Sequence, residues 1–161
     1  MTEKQLSRLL VDNADLAVDA GLNRNEPLAR QVPRPSRKNP TTIVIEGERP
    51  VSWNKFYSGM HWDKRNTEAK RVHEVVATAV LAAGLGRYGP YAVKVDMEVN
   101  VYFAKRPQDS SNIQGKMYQD GLIGLLLEDD DPAHVGRFTT ESFIDAKRPR
   151  VEIRIIPRVN E

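Results

Sequence analysis

Three patterns predict an α+β domain built on a small mixed or antiparallel sheet with two core helices. Residues 92–104 alternate apolar and polar without a break: Val93, Val95, Met97, Val99, Val101 and Phe103 against Lys94, Asp96, Glu98, Asn100 and Tyr102. That period of two is the mark of a strand with one wet face, as in an antiparallel sheet. Residues 66–83 instead place Val72, Val75, Val76, Ala79, Val80 and Ala83 at helical spacing. Two short β-branched runs, Thr41–Glu46 and Val151–Ile155, supply further strands on either side in the sequence.

Thr2 and Gln5 make a capping box ahead of Leu6, Leu9, Leu10, Ala14 and Ala17, so residues 2–20 read as a helix with a thin apolar stripe. Residues 23–41 carry Pro27, Pro33, Pro35 and Pro40 among basic residues and show no periodicity, which predicts an extended linker. The expected division is therefore residues 1–40 as an appendage and 41–161 as the folded domain. After the first strand, Gly47-Glu48-Arg49-Pro50 reads as a turn. The segment from Val51 to Arg65 interleaves Trp53, Phe56, Tyr57 and Trp62 with Asn54, Lys55 and Arg65. Aromatics so placed serve either as core or as stacking platforms for bases, with the cations on phosphate.

Asn66 or Thr67 is the expected cap of the helix over 66–83, and Gly84 and Gly86 end it. Its polar side, Lys70, Arg71, His73 and Glu74, reads as a solvated face. Beyond the strand over 92–104, Ser111 and Gln114 form a second capping box, predicting a helix from Asn112 to about Ile123. On such a helix Asn112, Lys116 and Asp120 share one face. The segment from Phe138 to Arg150 is polar and is expected to contain another strand.

Composition narrows the class. The chain has 161 residues and 40% apolar content, enough for one domain with a core. It holds no cysteine, which excludes disulfides, thiolate zinc sites and a thiol nucleophile. No apolar run approaches the length of a membrane span, and no signal core follows Met1, so a cytoplasmic protein without membrane contact is expected. No phosphate-binding glycine loop suggests a nucleotide cofactor. Net charge is only +2, but residues 33–108 hold 13 Lys and Arg against 7 Asp and Glu, whereas residues 109–161 hold 7 against 10. A basic surface beside an acidic pocket suits a metal-dependent enzyme acting on a polyanion.

The acidic part is concentrated in one stretch. Lys105, Arg106 and Asp109 follow the long strand, Lys116 and Asp120 follow them, and Glu128-Asp129-Asp130-Asp131 closes the series. Adjacent carboxylates repel one another unless solvated or shared with a cation. Oxygen donors without cysteine select Mg2+ or Mn2+ over zinc, with Ca2+ in a structural role as the other possibility.

At these residues the chain resembles the RusA family of Holliday-junction resolvases, especially the phage and prophage versions. The matching motif runs through Asp109, Asn112, Lys116, Asp120-Gly121-Leu122 and Asp129-Asp130-Asp131, with His134-Val135 behind it. Upstream, Ser52-Trp53-Asn54-Lys55 and Thr67-Glu68-Ala69-Lys70 match an Asn-containing loop that leads to a basic helix. The resemblance spans about residues 42–156. It implies a homodimeric, Mg2+-dependent endonuclease that binds branched DNA at four-way junctions and makes paired nicks. By the same resemblance Asp109 and one of Asp129, Asp130 or Asp131 ligate metal, Asp130 being favoured, and Lys116 assists at the phosphate. Asn54, Lys55, Arg65, Lys70, Lys105 and Arg106 are the expected DNA contacts. Ser111 stands where the family often has a second catalytic Asp, so Asp120 or Asp131 is the candidate to supply that oxygen. The same departure supports a DNA-structure-binding protein that does not cleave.

Overall fold

The computed structural model describes residues 39–158. The expected helix over 2–20 and nearly all of the linker lie outside those residues. In chain order the elements are β1 (Thr41–Glu46), α1 (Trp53–Ser58), α2 (Trp62–Ala82), β2 (Val95–Phe103), α3 (Gly115–Asp120), β3 (Val135–Ile144) and β4 (Arg150–Pro157). The four strands form one mixed sheet in the order β1-β4-β2-β3, confirming the α+β class. Strand β4 runs antiparallel to both β1 and β2, whereas β3 runs parallel to β2.

That parallel pair departs from the antiparallel reading of residues 92–104. Alternation reports one buried and one wet face, but not the direction of the neighbouring strand. A parallel partner needs a crossover connection, and the chain from Ala104 to His134, containing α3, supplies it. Register slips by one residue between Val95 and Met97, where Gly136 and Arg137 lie opposite Asp96. Arg137 N–H donates to Asp96 Oδ1 at 2.7 Å, which ties the bulge down.

One face of the sheet is dry. Ile43 and Ile45 of β1, Val95, Met97, Val99 and Val101 of β2, and Val151, Ile153 and Ile155 of β4 are all buried. They form one core with Val72, Val76 and Val80 of α2, and with Met117, Tyr118, Leu122, Leu126 and Leu127. Each such side chain contributes about 1.5–3 kcal/mol relative to an exposed one. The other face carries polar cross-strand pairs, including Asp96 with Arg158 at 2.7 Å and Glu98 with Arg154 at 3.5 Å.

Three boundaries differ from expectation. The aromatic segment is not a plain loop: Ser52 accepts from Lys55 N–H and caps α1, whose Phe56 is buried. Helix α2 begins at Trp62, four residues early, so Asn66 and Thr67 are interior. Thr67 Oγ1 donates back to the Asp63 carbonyl at 2.9 Å and caps nothing. The helix expected over 112–123 is replaced by a 3-10 turn at Ser110–Asn112, extended backbone at Ile113, and the short α3. The Ser111–Gln114 capping box does not form, because Ser111 Oγ donates to Asp109 and Gln114 is buried. Asn112 therefore shares no helix face with Lys116 and Asp120.

Candidate functional site: an acidic loop bridged by a lysine

The chain leaving β2 folds back across the inner face of β3. Thr140 Oγ1 donates to the Ser110 carbonyl at 3.0 Å, and Ile113 makes an antiparallel bridge with Ser52. Gly115 then lies so close to β3 that an added Cβ would stand 2.4 Å from Thr140 Cγ2 and 2.9 Å from the Phe138 ring. This close approach fixes where α3 starts, and with it where Lys116 stands.

Lys116 Nζ bridges two carboxylates. It pairs with Asp120 Oδ1 at 2.9 Å, one helical turn on, and with Asp130 Oδ2 from the acidic loop. All three side chains keep solvent access, Asp130 the least at 27%. Asp129 Oδ1 accepts from Asp130 N–H at 2.7 Å, so the second acid of the run orients the third. Asp131 turns elsewhere. Its Oδ1 accepts from Ala133 N–H and His134 N–H and contacts His134 Nδ1 at 2.7 Å. The hydrogen bonds from the His134 ring and backbone hold the Asp131 carboxyl below the usual aspartate range.

Asp109 caps the 3-10 turn that precedes α3. Its Oδ1 accepts from Ser111 N–H at 3.1 Å and Ser111 Oγ at 3.0 Å. Asn112 reaches the other way, and its Oδ1 accepts from Asn54 N–H at 3.1 Å. That bond joins two sequence-predicted groups that lie 58 positions apart, and it seats the N-terminus of α1 against the Asp109 loop. On α1 the rings of Trp53 and Tyr57 stack at 4.5 Å, with the Arg65 guanidinium 5.7 Å from the Tyr57 ring centre. Lys55 lies exposed on the same helix, and Lys70 exposed on α2. Lys105 and Arg106 are exposed on the segment just past β2.

A buried polar network supports this arrangement, and the sequence reading missed it. Glu48, in the turn after β1, accepts from Arg71 Nη1 at 3.0 Å and Nη2 at 2.7 Å, and from Tyr118 Oη at 3.0 Å. Burial pushes the Glu48 carboxyl up, but the Arg71 bonds and charge, with the Tyr118 bond, outweigh it and hold it below the usual glutamate value. Burial and the adjacent Glu48 carboxylate raise the Tyr118 hydroxyl well above its ordinary range. Glu68 also pairs with Arg71 at 2.8 Å, so Arg71 is no solvated-face residue. Periodicity marks Arg71 as polar and says nothing of a turn residue 23 positions away. Through Tyr118 the network pins α3 two residues from Lys116.

Among the described residues no three His, Asp or Glu side chains are grouped closely enough to form a metal cage. The donors nevertheless fit a hard cation, because Asp120 and Asp130 converge on one positive centre, now Lys116 Nζ. Mg2+ typically takes one or two protein carboxylates and completes its shell with water and substrate phosphate. Among the described residues no helix is long and apolar enough to cross a membrane. No protein-family model matches the chain, and no curated protein matches it either.

Proposed function

We propose that the chain is a divalent-cation-dependent endonuclease of the RusA type that resolves four-way DNA junctions as a homodimer in the cytoplasm. The observation that carries this reading is Lys116 held between Asp120 and Asp130, on the short helix that starts at Gly115, just past the Asp109-capped turn. An acidic pair around a movable cation, beside exposed Lys and Arg, suits a phosphodiester whose charge grows in the transition state. Asp120 and Asp130 would hold Mg2+ or Mn2+, and Asp109 is assigned to the same ion by the family resemblance alone. When bound, such an ion lowers the pKa of water to give a nucleophile and stabilises the leaving oxygen.

The chain's own residues account for the remaining roles. Lys116, released from one carboxylate by an arriving phosphate, donates to a non-bridging oxygen and offsets its charge. Asp129 keeps the Asp130 carboxylate aimed through its backbone N–H. The Trp53–Tyr57 stack and Lys55 on α1 present an aromatic and cationic surface to the DNA, tied to the Asp109 loop by the Asn54–Asn112 bond. Lys70, Arg65, Lys105 and Arg106 add contacts that follow the phosphate backbone without reading sequence.

A second reading, junction binding without cleavage, is favoured by Ser111. Its hydroxyl donates to Asp109, where a carboxylate would have supplied another anionic donor. The purified protein should be tested on a synthetic four-way junction and on a duplex of the same sequence, in Mg2+ and in EDTA. Paired nicks confined to the junction and abolished by EDTA are expected. Asp109→Asn should abolish nicking and leave junction binding intact. Tight junction binding without nicks in Mg2+ or Mn2+ would instead establish the non-cleaving protein.

A further inference from the structure

A cavity of about 450 Å³ opens where β1 ends, β2 ends and β4 begins, and none of the acidic-loop carboxylates lines it. One wall is the segment leaving β2, from Tyr102 to Arg106 with Gln108; the other comes from the turn Glu48–Pro50 and from Pro149. The walls are braced. Gly47 N–H donates to the Pro149 carbonyl at 2.9 Å, joining the two turns. Tyr102 stacks on Phe143 at 5.0 Å and carries the Arg150 guanidinium 3.7 Å from its ring centre. Arg150 is itself fixed by Glu152 at 2.6 Å and Asp145 at 2.8 Å.

We infer that this cavity receives a single unstacked nucleotide of the DNA strand, with the base against Pro50, Tyr102 and Gln108 and the phosphate on Lys105 and Arg106. The inference deepens the endonuclease reading and rests on it for the identity of the polymer. Size agrees, since cavities of roughly 300–1,000 Å³ enclose molecules of this class. Charge agrees as well. The one acid in the lining, Glu48, already accepts from Arg71 and Tyr118. Arg49, Lys105 and Arg106 form no ion pair among the described residues, so the net field at the mouth favours an anion. Gln108 supplies the polar group that a base edge requires. Its side-chain oxygen is buried and has no hydrogen-bond partner among the described residues, so turning the amide toward the cavity breaks no bond of that oxygen, and a base donor that then meets it repairs a deficit. Position links the two sites, because Gln108 directly precedes Asp109. A nucleotide seated at Gln108 leads its neighbouring phosphodiester toward the Asp109 loop. Enzymes that engage single bases draw them from weakened stacks, and a branch point provides such a stack.

The test uses the full-length protein in EDTA, titrated separately with the four deoxynucleoside 5′-monophosphates, deoxyribose 5-phosphate and inorganic phosphate, and followed by NMR. At least one nucleotide should shift the Gln108 side-chain amide and the Tyr102 ring signals at concentrations where the two base-free probes do not. Gln108→Leu should weaken that nucleotide by about fivefold, the worth of one hydrogen bond, and leave phosphate binding unchanged. Equal shifts with base-free phosphates would reduce the cavity to an anion site and overturn the inference, as would unmoved Gln108 and Tyr102 signals. Junction nicking in Mg2+ is scored independently. Nicking without nucleotide-specific shifts removes the base pocket and keeps the nuclease, whereas shifts without nicking do the reverse.

Discussion

Lys116 has two acidic partners from different parts of the chain, and only one of them is visible in the sequence. The Asp120 pairing follows from i, i+4 spacing and by itself is worth about 0.3–0.5 kcal/mol. The Asp130 pairing depends on how the loop from Gly121 to Asp131 returns to α3, which no local pattern encodes. Lys116→Ala should therefore slow junction cleavage by about 10²–10³-fold, the usual effect of deleting one preorganised charge-stabilising donor, with a much smaller change in junction affinity. Single-turnover cleavage beside a gel-shift titration checks this, and equal losses in both would make Lys116 a simple phosphate contact. Glu48 and Arg71 give a test of opposite character, on stability. Glu48 is buried, with 7% of its side chain exposed, while Arg71 keeps 40%. Arg71→Met leaves a buried carboxylate without its cation and should cost about 3–5 kcal/mol. Glu48→Gln leaves a guanidinium that water and Glu68 still satisfy, and should cost about 1–3 kcal/mol. The pH dependence separates them further. In the native protein the Glu48 carboxyl lies below its unfolded value, so its contribution is complete above about pH 4.3 and is lost as pH falls through the lower, folded value. In Arg71→Met burial is opposed only by the weaker Tyr118 bond and raises that carboxyl above its unfolded value, so the variant should gain stability relative to the native protein as pH falls. Urea titrations at neutral and acidic pH read both signs.

Elements were legible to the extent that their own periodicity decides them. Strand β2 and the valine stripe of α2 lie where alternation and helical spacing place them, because burial of one face against one core imposes both periods. β1 and β4 follow for the same reason, with Ile43, Ile153 and Ile155 fully buried. The short elements around the site were not legible. Asp109, and not Ser111, caps the turn, since the carboxylate accepts from both Ser111 N–H and Ser111 Oγ and so starts the helical backbone earlier than the capping-box pattern predicts. Ile113, recruited to a bridge with Ser52, then interrupts the helix before Gly115. Gly115 looks like a weak point of a helix in the sequence, yet its missing side chain is what lets α3 meet β3. Gly115→Ala should gain helix propensity and still destabilise the protein by about 1–3 kcal/mol, because the new methyl overlaps Thr140 and Phe138. Cleavage should fall as well, since α3 must move outward and carry Lys116 away from Asp130. A variant as stable and as active as the native protein would show that β3 yields without consequence.

At the scale of the molecule, charge segregation along the chain was visible from the start, whereas the topology that exploits it was not. Nothing in the alternation of β2 says that β3 lies parallel beside it, yet that crossover carries the acidic stretch back over the inner face and meets α1 through Asn54 and Asn112. One chain thus assembles one lysine-bridged acidic site, while a four-way junction presents two equivalent strands related by a two-fold axis. Paired, symmetric nicks require two such sites in a fixed relation, which a two-fold homodimer provides by sharing the symmetry of its substrate. The consequence can be measured by mixing native chains with an excess of Asp109→Asn chains after co-refolding. If one chain makes one nick, mixed dimers bind junctions normally and cut a single strand, so singly nicked junctions accumulate as the mutant fraction rises and ligatable paired products disappear. If a monomer cuts both strands in turn, paired products fall only in proportion to the native chain, and the dimeric reading fails while the assignment of Asp109 stands.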